Sequence, residues 1–159
     1  LAADLGLVHP APRDVVLVGH SYGFPSILHV TKRNFESITS WDGTMLPRTH
    51  FEKSPKISDP IEGRLIDSGY YAIMGEAMAK EAPKTHSKKL IKNLGKPIHF
   101  IAVDDPKSGN RIAAEMMHKN TKGEKELTLI KGATHNFTEE GKQEELYKTT
   151  VNWINQLLG

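Results

Sequence analysis

DVVLVGHSYG, at residues 14–23, joins a run of β-branched apolar residues to the pattern G-x-S-x-G. The run predicts a buried strand over 14–19, and we expect a helix at 25–29. The chain must turn sharply between the two, which places Ser21 on a strained backbone with its hydroxyl above the sheet edge. We expect glycine at 19 and 23 because a side chain at either position would collide with neighbouring backbone.

The same turn predicts how an attacked carbonyl group would be stabilised. The amide N–H of Tyr22 and the start of the following helix are expected to point toward the substrate oxygen, where they would stabilise an oxyanion. A glycine-rich turn that binds phosphate is the alternative interpretation. It is disfavoured because the sequence lacks G-x-G-x-x-G and the Gly-Lys-Ser/Thr ending of a phosphate loop.

Short apolar runs alternate with amphipathic stretches along the rest of the chain. This alternation predicts an α/β fold, in which a mostly parallel sheet is flanked by helices. In the last helix Tyr147, Val151, Ile154 and Leu158 recur every three or four residues, so we expect them to face the sheet. The patterns predict strands at 37–41, 97–103 and 126–130, and helices at 65–80, 87–94, 111–119 and 139–158.

Residues 43–64 contain several prolines and glycines and show little periodicity. They predict either a plain surface loop or the start of a lid over a pocket. The expected helix at 65–80 carries large side chains that would either line an apolar pocket or pack this helix onto the domain. These side chains are Tyr70, Tyr71, Met74 and Met78.

A serine hydroxyl needs a base, and the base needs a carboxylate that orients it. Among eight histidines, His135 follows the last predicted strand and so should lie at the same sheet edge as Ser21. Asp105 follows the third predicted strand at that edge and is our choice of acid. Asp104, which continues that strand, and Asp42, which ends the second, remain alternatives. The chain order of serine, acid and histidine is the one expected for this arrangement.

Composition limits the other classes of function. A chain of 159 residues suits one domain over 1–159, and a net charge of +2 gives no case for nucleic acid or an anionic membrane as partner. The absence of cysteine excludes disulfides and thiolate catalysis. No apolar run approaches the ~18 residues that a transmembrane helix needs. We predict a cytoplasmic protein. Export is not judged from the first residues, because the chain begins inside the predicted fold.

With these motifs the chain resembles the α/β-hydrolase superfamily, in its serine esterase and lipase branch. The resemblance rests on Ser21 in GHSYG, Asp105 in VDDP and His135 in GATHNF, three motifs that span nearly the whole chain. It implies a serine hydrolase that cleaves a small-molecule carboxylic ester through an acyl-enzyme, with no metal and no organic cofactor. Thioesterase, peptidase and lactonase chemistries use the same residues, and a non-catalytic binding module that keeps the fold is a further alternative.

Substrate contacts are predicted from His20, Phe24, Trp41 and Tyr70. By resemblance, Phe24 stands where related proteins often have a glycine, and it would narrow the space behind the nucleophile. The position of His20 inside the turn directs it away from the role of base.

The resemblance also implies parts that this sequence lacks. It implies eight strands in the complete enzyme and a lid after the sixth, which would fall here at about 43–96. Only thirteen residues precede the first strand, so the early strands and the loop that donates a second oxyanion N–H are not in this chain. We therefore hypothesise a fragment, or one half of a split enzyme whose partner is the missing N-terminal half.

Overall fold

A computed structural model of the chain describes residues 15–29, 34–44, 56–59, 63–67, 73–75 and 87–158, and gives only the backbone of the three strands between 56 and 75. In chain order the elements are β1 (Val16–His20), α1 (Gly23–Leu28), β2 (Ser37–Trp41), β3 (Lys56–Asp59), β4 (Gly63–Asp67), β5 (Ile73–Gly75), α2 (Ser87–Lys92), β6 (Ile98–Val103), α3 (Gly109–Asn120), β7 (Lys125–Ile130) and α4 (Lys142–Leu158). The chain divides into two compact units, one with Leu1–Thr44 and Lys88–Gly159 and the other with Met45–Ser87.

The larger unit is built on a four-stranded parallel sheet in the order β1-β2-β6-β7. In register, Gly19 lies beside Ser40, and Val103 lies beside Ile130. Parallel strands end at one common edge, so the residues that follow them come close together there. The predicted fold class, a mostly parallel sheet flanked by helices, is confirmed.

Strand β6 lies at the centre of the described sheet, and all six of its residues are buried. A strand that is covered on both faces reads as a continuous apolar run, which is why this segment was recognisable in the sequence. By contrast β1 pairs only with β2 among the described strands, and its Val18 is 40% exposed. The sheet edge formed by β1 is therefore open within the described part of the chain.

Helices cover both faces of the sheet. On one face the ring of Phe100 packs edge-on against Phe24 of α1, at a centroid distance of 6.0 Å, and against His118 of α3 at 6.3 Å. On the other face the ring centroids of His99 and Trp153 of α4 lie 5.3 Å apart. Because neighbouring residues of a strand point to opposite faces, the two contacts place α1 and α3 opposite α4.

The buried face of α4 differs from the predicted one. Leu146, Thr150 and Trp153 are buried, whereas Tyr147, Val151 and Leu158 are about half exposed, at 51%, 51% and 46%. The helical period was predicted correctly, but the buried positions each lie one residue before a predicted one. Thr150 can be buried because its hydroxyl donates to the Leu146 carbonyl and accepts from the Trp41 indole, each at 2.9 Å.

The smaller unit contains a three-stranded antiparallel sheet in the order β3-β4-β5. The predicted helix at 65–80 is therefore wrong where β4 and β5 lie, because antiparallel pairing of β4 with β3 and of β5 with β4 overrides local propensity. Tyr70, Tyr71 and Met78 lie outside the described residues. A lid function for this unit remains a prediction.

Candidate active site

Ser21 occupies the turn between β1 and α1, with its backbone in the left-handed region at φ 53°. Its N–H donates to the Trp41 carbonyl at 3.1 Å, and its own carbonyl accepts from the Thr44 N–H at 3.1 Å. A side-chain-bearing residue keeps such a conformation only where the surroundings impose it. These two bonds tie the turn to the segment after β2, and the predicted sharp turn at Ser21 is present.

The two glycines of the motif are not equivalent. A Cβ at Gly19 would lie 2.6 Å from the Phe24 Cα, which is closer than two carbon atoms can approach. The backbone would have to shift to accommodate it. At Gly23 an added Cβ would meet nothing within 4 Å. The predicted collision is therefore correct for position 19 and wrong for position 23, because Gly23 is exposed at the start of α1.

His135 and Asp42 form the shortest polar contact of the site. His135 Nδ1 lies 2.5 Å from Asp42 Oδ2. The Asp42 carboxylate is 1% exposed, while the imidazole retains 42% exposure. Asp42 Oδ1 also accepts from the backbone N–H of Val103 at 3.2 Å. A buried carboxylate with these donors can orient an imidazole whose other side stays accessible.

The backbone around Asp42 is fixed on several sides. Asp42 has φ 43°, and its N–H donates to the Ile101 carbonyl at 2.7 Å. A Cβ at the next residue, Gly43, would lie 2.7 Å from Phe24 Cδ1. Only glycine fits at position 43, and this close packing holds the carboxylate in place.

Asp105, the predicted acid, does not contact His135. It is exposed, its side chain accepts from the Lys107 N–H at 2.9 Å, and its carbonyl accepts from the Ser108 N–H at 2.9 Å. Asp104 forms an ion pair with Arg111 of α3. The choice of Asp105 is therefore corrected. The carboxylates of Asp104 and Asp105 both bind neighbouring groups near the start of α3, and it is Asp42, one of the two alternatives, that contacts His135.

The loop that carries His135 follows β7 and is held by its own hydrogen bonds. Thr134 N–H donates to Glu139 Oε2 at 3.0 Å, and Phe137 N–H donates to the Thr134 carbonyl at 3.0 Å. The hydrogen bonds from Thr134 lower the pKa of Glu139. Phe137, at φ 52° and 1% exposed, anchors the loop in the core beside Ile130.

Two residues that the sequence analysis missed join Ser21 to Asp42. Ser21 Oγ lies 3.4 Å from Thr44 Oγ1, and the Thr44 hydroxyl donates to Asn110 Oδ1 at 3.3 Å. Asn110 Nδ2 then donates to Asp42 Oδ2 at 2.8 Å. Within the described part of the chain no hydrogen bond joins Ser21 directly to His135. The only sequence signal for these residues was their position, just after β2 and just after the turn that follows β6.

Comparison with solved structures identifies the architecture. The chain matches an esterase domain from a Rhodothermus marinus protein with a TM-score of 0.75 at 14% identity, over 98% of this chain and 65% of that one. It matches ferulic-acid-bound Est1E from Butyrivibrio proteoclasticus with a TM-score of 0.70 at 16% identity, over 91% and 60%. This chain has the α/β-hydrolase fold. Neither a protein-family model nor a curated protein sequence matches it.

A third matched structure is that of a lipase. The monoacylglycerol lipase of Paleococcus ferrophilus aligns with a TM-score of 0.61 at 14% identity, over 96% of this chain and 70% of that one. The chain spans 65% of the Rhodothermus marinus domain and 60% of Est1E. It therefore contains a large part of the α/β-hydrolase fold seen in these structures.

The predicted substrate contacts occupy different places in this α/β-hydrolase fold. His20 is exposed, its Nε2 bonds the His135 carbonyl at 2.9 Å, and its ring lies 4.7 Å from the His135 ring. Phe24 is fully buried under the turn, and the indole of Trp41 is hydrogen-bonded to Thr150. These two side chains support the site from within the domain. Tyr70 lies outside the described residues.

Tyr22, the predicted oxyanion donor, is the residue between Ser21 and the first residue of α1. An oxyanion role for Tyr22 remains a prediction. Within the described ranges, no cluster of three or more His, Asp or Glu side chains could hold a metal ion. None of the described helices is both long and apolar enough to cross a membrane.

Proposed function

We propose that this chain carries the active site of a serine hydrolase that cleaves carboxylic esters, with Ser21 as nucleophile, His135 as general base and Asp42 as the orienting acid. The observation that most supports this is the 2.5 Å contact of His135 Nδ1 with Asp42 Oδ2, in one hydrogen-bond network with a serine in the left-handed conformation. Structural neighbours named as an esterase domain and a lipase support the ester class.

The carboxylate of Asp42 determines which imidazole nitrogen acts as base. An ionised carboxylate only accepts hydrogen bonds, so the proton of a neutral His135 ring lies on Nδ1. The lone pair is then on Nε2, the nitrogen that must take the Ser21 proton. Asp42 also stabilises the imidazolium that forms during the reaction.

The reaction proceeds in two halves. Ser21 Oγ attacks the ester carbonyl while His135 Nε2 takes its proton, and the Tyr22 N–H donates to the oxyanion. The tetrahedral intermediate collapses as His135 protonates the leaving alcohol, which leaves an acyl-serine. Water then gives a proton to His135 and attacks the acyl group, and the acid is released as Ser21 regains its proton.

The hydroxyl of Ser21 must turn before it reacts. Its hydrogen bond to Thr44 Oγ1 is 3.4 Å long, beyond the usual range for hydroxyl groups. Little free energy is therefore lost when the hydroxyl turns from Thr44 toward His135. Catalytic hydrogen bonds are often long or absent until substrate is bound.

We also propose that the missing N-terminal half of the domain pairs with the open edge of β1. Two observations support this proposal: β1 pairs only with β2 among the described strands, and the matched structures are longer than this chain. An unpaired strand edge invites pairing with further strands. A purified 159-residue chain that stays soluble and monomeric would contradict it, because the edge of β1 would then need no partner strand.

A fluorophosphonate probe tests the serine hydrolase directly, because it reacts only with an activated serine. We expect the purified chain to be labelled on Ser21 and to hydrolyse p-nitrophenyl butyrate, and S21A to lose both properties. S26A is the matched control, since Ser26 is an exposed serine of α1 whose hydroxyl donates to the Tyr22 carbonyl. Absence of labelling on wild-type Ser21 would favour a non-catalytic binding module and would refute the proposal.

A further inference from the structure

Asn110, in the first turn of α3, contacts both ends of the candidate active site. Its Oδ1 accepts from the Thr44 hydroxyl at 3.3 Å, and its Nδ2 donates to Asp42 Oδ2 at 2.8 Å. The same Nδ2 lies 3.2 Å from His135 Nδ1. The side chain therefore uses both its carbonyl and its amide group within one network.

The chemistry of the neighbours fixes how this amide is oriented. The Asp42 carboxylate only accepts, so the NH₂ group of Asn110 must face it, and the carbonyl must face Thr44. The Thr44 proton is then committed to Asn110. In the contact between Ser21 Oγ and Thr44 Oγ1, the donated proton must consequently come from Ser21.

At Asp42, Asn110 and His135 approach the same oxygen. Oδ2 receives His135 Nδ1 at 2.5 Å and Asn110 Nδ2 at 2.8 Å, while Oδ1 receives the Val103 N–H at 3.2 Å. The two donors on Oδ2 stand side by side, and the longer backbone contact on Oδ1 restrains the carboxylate from one side only. Without Asn110 the carboxylate would be free to follow the imidazole over a wider range of orientations.

We propose that Asn110 is a positioning residue, which holds the Asp42 carboxylate in the one orientation that keeps the His135 Nδ1 proton directed at Oδ2. The inference rests on the proposed function, because only a reacting His135 makes that orientation matter. An aspartate at position 110 has the same shape but would place a second negative charge beside the same two groups.

The pH dependence of the variants is the readout that separates positioning from a structural role. The titratable groups in contact with His135 in the described residues are Asp42, after β2, and His20, the last residue of β1. Glu139, in the same loop as His135, accepts a hydrogen bond from the Thr134 N–H instead. Arg111, next to Asn110, is engaged by Asp104 and Glu115 instead. A new carboxylate at 110 would favour the protonated imidazolium.

The experiment measures kcat, KM and their pH profiles with p-nitrophenyl butyrate for the wild-type chain, N110A and N110D. N120A is the matched control, because Asn120 is an asparagine of the same helix whose amide donates to the Met116 carbonyl. For N110A we expect kcat to fall about tenfold, with KM unchanged, from loss of one hydrogen bond to a charged group. For N110D we expect the acidic limb of kcat/KM to move up by about one pH unit.

N110D preserves the size of the side chain and so keeps the test available if N110A does not fold. Wild-type pH limbs in N110D, or a kcat of N110A equal to that of N120A, would overturn the inference. Failure of the proposed function gives a different result, since the wild-type chain itself would then not react with the fluorophosphonate probe.

Discussion

His135 Nδ1 lies 2.5 Å from Asp42 Oδ2, although 93 positions separate the two residues in the chain. The contact exists because β2 and β7 run parallel on either side of β6 and end at one edge of the sheet. The loops that follow these strands bring the carboxylate and the imidazole together. The pairing of a fully buried acid with a half-exposed base is what the proposed reaction requires.

Asp42 and Asp105 can be compared directly by substitution. D42N keeps the side-chain shape but presents an amide to His135, and we expect kcat to fall about 10⁴-fold, as for other triads that lose this carboxylate. D105N changes only an exposed side chain, and the asparagine oxygen can still accept from the Lys107 N–H, so we expect activity within about twofold of wild type. Hydrolysis of p-nitrophenyl butyrate measures both, and the opposite ranking would restore Asp105 as the acid.

The glycines of the turn provide a second matched pair. G19A places a Cβ 2.6 Å from the Phe24 Cα, and we expect it to lower the free energy of unfolding by about 1–3 kcal/mol. G23A meets nothing within 4 Å and lies in α1, where alanine is favoured over glycine by up to about 1 kcal/mol. Urea denaturation of the two variants measures the difference. Equal free energies of unfolding would show that the close approach at position 19 does not destabilise the G19A variant.

Much of the fold could be predicted because its signals are local. The run IHFIAV is apolar except for His99, and its strand is buried on both faces. The glycine-flanked Ser21 after a Val-rich strand indicated the sharp turn. The strands at 63–67 and 73–75 could not be predicted in the same way, because their identity depends on antiparallel partners, beginning with β3 at 56–59.

The site was predicted only in part, and the reason is geometric. Position in the sequence shows which residues follow a strand, and Ser21, His135, Asp42 and Asp105 all do. It does not show that the Asp105 side chain accepts from the Lys107 N–H, whereas the Asp42 side chain is buried and contacts His135. Such a choice depends on packing around Gly43, which is a tertiary property.

The buried face of α4 gives a stability test. Thr150 accepts a hydrogen bond from the Trp41 indole and donates one to the Leu146 carbonyl, each at 2.9 Å. T150V keeps the shape but leaves the indole N–H without its acceptor, and we expect a loss of about 1–3 kcal/mol in the free energy of unfolding. T149V, at the neighbouring half-buried threonine, is the control and should stay within about 0.5 kcal/mol of wild type. A T150V variant as stable as T149V would contradict the assigned bond.

The buried His99 predicts how stability depends on pH. Burial lowers the pKa of His99 from 6.5 to about 4. Its Nε2 lies 2.8 Å from Thr128 Oγ1, and the Thr128 hydroxyl donates to Glu126, so neutral His99 carries its proton on Nε2. A histidine whose pKa is lowered by folding binds more protons in the unfolded chain between these two values. Its contribution to stability is therefore complete above pH 6.5 and is lost as the pH falls toward 4.

The gap between the two pKa values corresponds to about 3 kcal/mol. We expect the free energy of unfolding of the wild-type chain, measured in urea between pH 7 and pH 4.5, to fall over this window. H99Q should show a flatter profile, because glutamine can donate to Thr128 but does not titrate. H29Q, at an exposed histidine at the end of α1, is the control and should keep the wild-type profile. If H99Q lost stability with falling pH as steeply as H29Q, the buried imidazole would not be the source of the acid sensitivity.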